Sequence, residues 1–267
     1  MIMIDACMAA GREAADDMPE GPSIVILKEQ AAPFEGREVL AVGGNTKEDV
    51  QKALHRRVRA FKSWGKHFLI CFGDFTIRIH FLLFGSYRIN EERDAAPRLS
   101  LQFENGVLNF YACSVKIIEA DPDEVYDWSE DVMSPAWDPA AALRKLQARP
   151  SLLACDALLD QHIFSGSGNI IKNEVLFRIR VHPLSGAGAL PLPKLEEMVR
   201  ETRVYSFEFL EWKKAYVLRQ HWLAHNKSIC PRCNIPFVRA YLGRTNRRSF
   251  FCNNCQVLYR MPGKDAV

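Results

Sequence analysis

The stretch LLDQHIFSGSGNIIKNE, residues 158–174, reads as two helices separated by a glycine-marked break. Ser151 is placed to cap the first helix, Leu152–Gln161. Phe164-Ser165-Gly166-Ser167-Gly168 interrupts it, and a second helix opens at Asn169. Glycine at 166 and 168 lets backbone amides approach an anion closely, and the positive end of the following helix favours one. The same letters also describe a helix C-cap and turn with no ligand.

Outward from this stretch, Asp138-Pro139 supplies an N-cap and a first-turn proline for a helix over Ala140–Ala148. Pro193–Trp212 reads as an amphipathic helix, so residues 138–221 form a helical domain. An acidic, proline-marked linker (121–137) precedes it. The region before that linker is different. Residues 18–34 start with a short helix, with Pro22 in its first turn and Ile24, Val25, Ile26 and Leu27 feeding a core. Arg37–Val42 reads as a strand ahead of Gly43-Gly44. In the hairpin over 67–85, Phe75, Ile77, Ile79 and Phe81 alternate with Thr76, Arg78, His80 and Leu82. Arg98–Glu104 and Val107–Tyr111 are strands joined at Asn105-Gly106, a tight-turn dipeptide. The expected fold is α+β: a β-sandwich with a leading helix over 18–120, the helical domain, and a small C-terminal finger over 222–267. Residues 1–17 read as an extension, processed or non-native.

At 267 residues with 48% hydrophobic content the chain is long enough for two cored domains. No apolar run approaches the ~18 residues of a membrane span, and the first seventeen residues carry no secretory signal, so a cytoplasmic protein with reduced thiols is expected. The net charge of +3 hides an asymmetry: from Trp212 to Lys264 there are eleven Lys/Arg and no Asp/Glu. A block this one-sided is a footprint for a polyanion, nucleic acid above all.

Cys230-Pro-Arg-Cys233 and Cys252-Asn-Asn-Cys255, eighteen residues apart, allow two thiolates per tight turn to reach one ion. One structural Zn2+ is expected, a disulfide or redox pair being the other reading; four sulfurs close the shell, so catalysis must lie elsewhere. Cys7, Cys71, Cys113 and Cys155 have no such spacing.

Four stretches together resemble the formamidopyrimidine-DNA glycosylase and endonuclease VIII family: MPEGP (18–22), the Gly65-Lys66 turn, LLDQHIFSGSGNIIKNE (158–174) and GRTNRRSFFCNNCQ (243–256). They fall in the family's order and span the chain after residue 17. The resemblance implies a bifunctional DNA glycosylase and abasic-site lyase of base-excision repair, with a helix-two-turn-helix element and a zinc finger. It implies that Pro19, once N-terminal, is the nucleophile and Glu20 the general acid. It assigns Lys66, Asn169 and Arg247 to phosphates, with Arg248 a lesser substitute for Arg247. It places Leu82, Leu83 and Phe84 where endonuclease VIII-type members carry a wedge that fills the gap left by an extruded base. Without the resemblance, Lys66 is an exposed turn residue and the apolar trio is core.

A proline nitrogen inside a peptide bond is an amide with essentially no nucleophilicity, so the expected working start is Met18, itself removed. Tyr111–Lys116 lacks the Asp-Pro-Arg-Arg-Phe loop of the purine-lesion branch, and the span from the Asn169 helix to Cys230 leaves little room for a loop capping 8-oxoguanine. Both points favour oxidised pyrimidines over oxidised purines. Ser23 departs from the glutamate usual in the family, and the finger's inner spacing is slightly long. The expected partner is damaged double-stranded DNA, bound by a monomer associated with the nucleoid. If Pro19 stays acylated, the alternative is a non-catalytic damaged-DNA-binding protein.

Overall fold

The computed structural model describes residues 19–260 and divides the chain into two compact units that meet in sequence at Asp127 and Trp128. The expected extension 1–17, Met18 and residues 261–267 lie outside the described residues, as does the side chain of Leu83.

The first unit opens with α1 (Gly21–Ala31), started by Pro22 in its first turn. Successive residues on a helix turn by about 100°, so Ile24, Leu27 and Ala31 share the buried face. Val25 and Ile26, expected in the core, are only partly covered. Six strands follow: β1 (Ala41–Gly43), β2 (Ala60–Trp64), β3 (His67–Cys71), β4 (Thr76–Ile89), β5 (Leu99–Phe103) and β6 (Gly106–Ile118). They form one antiparallel sheet in the order β1-β5-β6-β4-β3-β2. The sandwich arises inside that sheet. The register of β4 on β6 shifts between Phe81 and Ser86; the first part of β4 pairs with β3, and the first part of β6 with β5. Ile77 and Ile79 from one side of the shift and Leu99, Leu101 and Phe110 from the other share a single core. The strand expected at 37–42 is shorter, because only Ala41–Gly43 pairs with β5.

A four-residue helix, α2 (Pro122–Val125), capped by Asp121, closes this unit. The segment expected as a linker, 121–137, thus holds this helix and a 3-10 turn at Trp128–Glu130. Val132 and Trp137 are core residues of the second unit, which begins at Trp128. That unit contains α3 (Pro139–Gln147), α4 (Ala154–Ala157), α5 (Asn169–Arg178), α6 (Leu192–Lys214) and a hairpin of β7 (Val238–Leu242) and β8 (Arg247–Phe251). Asp138 caps α3 by accepting hydrogen bonds from the amides of Ala140 and Ala141, at 2.8 and 3.0 Å.

The helix expected over Leu152–Gln161 shrinks to α4, and Leu153 rather than Ser151 sits at its cap. Long-range bonds take the ends. The amides of Ala154 and Cys155 donate to Ser185 and Pro183 carbonyls, and the Gln161 side chain bridges the amide of Gly166 and the carbonyl of Ser167. The finger expected as its own domain, 222–267, belongs to the same compact unit as the helices. No helix among the described residues is long and apolar enough to cross a membrane.

Candidate functional site

In the first unit, Glu20 is the residue at the head of α1. Its backbone is extended (φ −112°, ψ 174°), and its carbonyl accepts from the amides of Ser23 and Ile24 at 2.8 and 3.3 Å. Its side chain does not cap the helix, yet the residue is only 1% exposed. A carboxyl group buried at the positive end of a helix is held for something other than surface solvation. Pro19, half-buried, immediately precedes it.

α1 packs on β2 and β3, the two strands joined by Gly65 and Lys66. Gly65 has φ +53°, a left-handed turn that lets the strands reverse in two residues and sets Lys66 at the apex. Lys66 is partly buried rather than fully exposed. His80, paired across the sheet with His67, has its pKa lowered by burial and then by the charges of Lys66 and Arg78. Burial, reinforced by Arg78 and His80, brings His67 down to about 3. Two imidazoles held neutral beside a lysine are a feature that the alternation of β4 only hinted at.

The register shift in β4 lifts Leu82 and Phe84 out of the sheet, leaving them 53% and 76% exposed. Gly85 makes this possible. A Cβ there would lie 2.8 Å from the Ala112 carbonyl oxygen and from the Phe81 Cβ. The reading of these two side chains as core is therefore incorrect.

In the second unit, Gly168 (φ −128°, ψ −160°) leads into α5 at Asn169, and Gly166 has φ +95°. Asn169 is 7% exposed, and its Oδ1 is buried with no hydrogen-bond partner, as are the hydroxyls of Ser165 and Ser167. Buried polar atoms are normally paired. Three unpaired ones around a helix N-terminus form a polar socket.

The strand that begins at Arg247 is stitched to the helix that begins at Asn169. Asn173 accepts from the Phe250 amide at 3.2 Å, and its Nδ2 donates to the carbonyls of Asn169 and Arg248, at 2.8 and 3.3 Å. The Lys172 ammonium donates to Ser249 Oγ at 2.8 Å and to the Arg248 carbonyl at 3.2 Å. Glu174 accepts from the amides of Leu223, Ala224 and His225 at 2.9, 2.9 and 2.7 Å. None of these three residues was singled out from sequence. Arg247 and Arg248 are exposed.

His225, beside Asn173, is held down to about 4 by burial and by the charges of Lys172 and Arg248. The unfolded chain takes up this proton near 6.5, so between 6.5 and about 4 it binds more protons than the folded chain. Stability of the second unit is expected to fall as pH drops through that window, and less steeply in His225→Gln. Thermal unfolding at stepped pH checks it; equal slopes for both proteins would contradict it.

The Sγ atoms of Cys230, Cys233, Cys252 and Cys255 all lie within 4.8 Å of one another, with Cys230 and Cys255 3.7 Å apart. Tetrahedral thiolates at ~2.3 Å from an ion stand about 3.8 Å apart, so the four residues fit one metal ion with a closed shell. Asn254 Nδ2 lies 3.1 Å from the Cys233 sulfur, and the Arg232 guanidinium is 4.0 Å from that of Cys255. Outer contacts of this kind orient metal ligands.

The model of the formamidopyrimidine-DNA glycosylase H2TH domain matches residues 130–207. The chain is 30% identical to Endonuclease 8-like 2 of Bos taurus, over 90% of this chain and 96% of that protein. It is 31% identical to Endonuclease 8-like 3 of Xenopus laevis, over 72% of this chain but only 33% of that longer protein. Among solved structures, a Lactococcus lactis formamidopyrimidine-DNA glycosylase bound to abasic-site DNA superposes with a TM-score of 0.79 at 18% identity, over 89% of this chain and 99% of the other. A viral DNA glycosylase gives 0.77 at 19% identity, over 89% and 100%. The match to the H2TH domain and the likeness to Endonuclease 8-like 2 over nearly the full length of both chains establish that this chain belongs to the formamidopyrimidine-DNA glycosylase and endonuclease VIII family of DNA glycosylases.

Proposed function

We propose that the processed chain removes oxidised bases, pyrimidines in preference to purines, from double-stranded DNA and then cuts the strand. The observation that carries this reading is the pair Pro19-Glu20 at the head of α1, with the Glu20 carboxyl buried there. Once residues 1–18 are gone, Pro19 is a secondary amine. Its nitrogen lone pair attacks the sugar C1′, and the bond from C1′ to the damaged base breaks with the electron pair leaving on the base. Glu20 delivers a proton to the departing group or to the opening sugar oxygen. The nitrogen loses its proton, and its lone pair then expels O4′ as the C1′–O4′ bond breaks and O4′ is protonated. The ring-opened iminium so formed draws electrons from the sugar, acidifying its protons and allowing β- and then δ-elimination of the flanking phosphates.

Lys66, Asn169 and Arg247 are read as phosphate holders, and Leu82, Leu83 and Phe84 as the wedge that fills the emptied stack. Zinc is the ion proposed for the four cysteines, with a purely structural part. Tyr111 and Cys113–Lys116 stay paired with β4 on either side of the register shift, whose extra residues lie on β4, between Phe81 and Ser86. The β6 strand therefore carries no protruding arginine loop there, which supports the pyrimidine preference.

Glu20→Gln keeps the shape of the side chain and removes its proton. Single-turnover cleavage is expected to fall by about 10²–10⁴-fold, the usual contribution of a general acid, with affinity for damaged duplex little changed. A parallel assay on thymine glycol and 8-oxoguanine duplexes tests the substrate class. Faster cleavage of thymine glycol is expected, and exclusive cleavage of 8-oxoguanine would overturn the preference.

A further inference from the structure

We infer that Asp156 is a positioning residue for Arg247, holding the tip of the finger hairpin in the place from which that arginine grips phosphate. The inference rests on the proposed reading of Arg247. Asp156 lies in α4 and is 5% exposed. A carboxylate this buried must have its lone pairs satisfied, or its burial is costly. The partners come from a segment almost ninety residues away. The Arg244 amide donates to Oδ2 at 3.0 Å, the Thr245 amide to Oδ1 at 3.3 Å and the Thr245 hydroxyl to Oδ1 at 3.4 Å.

These donors belong to the turn between β7 and β8, which Asn246 closes by donating its amide to the Gly243 carbonyl at 3.2 Å. Arg247 is the next residue, and it pairs in register with Leu242. The turn is built around the carboxylate. Gly243 has φ +73°, and a Cβ there would fall 2.3 Å from Asp156 Oδ1. No larger residue fits without displacing the contact. Arg247 thus has two supports, Asp156 on the turn before it and the Lys172 and Asn173 bonds to the strand after it. An exposed arginine at a hairpin tip would otherwise lose much of its affinity to the cost of ordering the turn.

Asp156→Asn keeps the volume but presents an amide donor to amide donors. Its affinity for a duplex carrying a tetrahydrofuran abasic analogue is expected to fall about tenfold, the size of a lost charge-assisted hydrogen bond. The decisive readout is a double-mutant cycle with Arg247→Ala. If Asp156 acts through Arg247, adding Asp156→Asn to Arg247→Ala costs less than about twofold further. Gly243→Ala, which leaves the carboxylate intact and pushes the turn away, is expected to show the same dependence on Arg247. Wild-type affinity in Asp156→Asn, or equal losses with and without Arg247, would overturn the positioning role. A wild-type chain whose affinity is unaffected by Arg247→Ala would instead overturn the reading of Arg247 itself.

Discussion

Chain that retains residues 1–18 ahead of Pro19 is expected to form no covalent adduct with abasic or oxidised duplex under borohydride, while chain beginning at Pro19 is trapped. The reason is the electronic state of one nitrogen. An α-amine with a pKa near ~8 is about one-tenth free base at neutral pH, whereas a lysine near ~10.4 is free to roughly one part in two thousand. An acylated proline nitrogen has its lone pair in the peptide bond and contributes nothing. A lysine at its ordinary pKa therefore restores trapping to no better than about one two-hundredth of the rate, at equal placement. Pro19→Gly keeps a terminal amine but loses the ring that fixes its direction into α1, and most of the adduct is expected to disappear with it. Equal trapping by the chain with and without its first eighteen residues would contradict this reading and favour a protein that binds damage without processing it.

The second large effect concerns the four cysteines. Removing the ion with a chelator, or one ligand by Cys252→Ser, is expected to unravel the β7–β8 hairpin. A two-stranded hairpin has marginal stability alone. A structural zinc contributes about 10–16 kcal/mol of apparent binding free energy, as large as the ~5–15 kcal/mol that holds a typical domain together. The loss reaches beyond the finger. Lys172, Asn173 and Asp156 all spend their buried hydrogen bonds on the strand or turn of that hairpin, so its departure leaves them unsatisfied. The core of the first unit contains none of these residues, and its unfolding transition is expected to stay where it was. Metal content, the two unfolding transitions and duplex affinity, measured before and after chelation, check this together. Undiminished affinity and an unchanged second transition in metal-free protein would contradict it.

Much of the architecture was legible because it is local. Asp138-Pro139 announces the start of α3, Asn105-Gly106 turns β5 into β6, and the alternation from Ile77 to Phe81 marks a strand with one buried face. The paired CxxC turns bring their own ligand geometry. What sequence misjudged depends on partners far along the chain. Ser151 looks like a helix cap, yet the backbone around it bonds to residues 183–187, and the helix is reduced to one turn. The segment 121–137 looks like a linker because it is acidic and marked by prolines, but Val132 and Trp137 are buried in the second unit.

The candidate site divides along the same line. Pro19, Glu20, Lys66, Asn169, Arg247 and the cysteines sit in short motifs and could be named from sequence. Asp156, Lys172, Asn173 and Glu174 could not, since their partners lie roughly fifty to ninety residues away and their own neighbours give no sign of them. Burial of a charged or amide side chain was the missing signal, and no periodicity reports it. Leu82 and Phe84 fall between the two cases. Their apolar character was plain, but only the register shift at Phe81 and Ser86 decides that they face outward.

The most direct test is to locate the bond. Protein isolated from its native cell is trapped on a thymine glycol duplex with borohydride, digested, and the DNA-bearing peptide sequenced by mass spectrometry. The account predicts a single adduct on the nitrogen of Pro19, in a peptide that begins with Pro19. An adduct on a lysine, or one formed by a chain still carrying Met1, would contradict it.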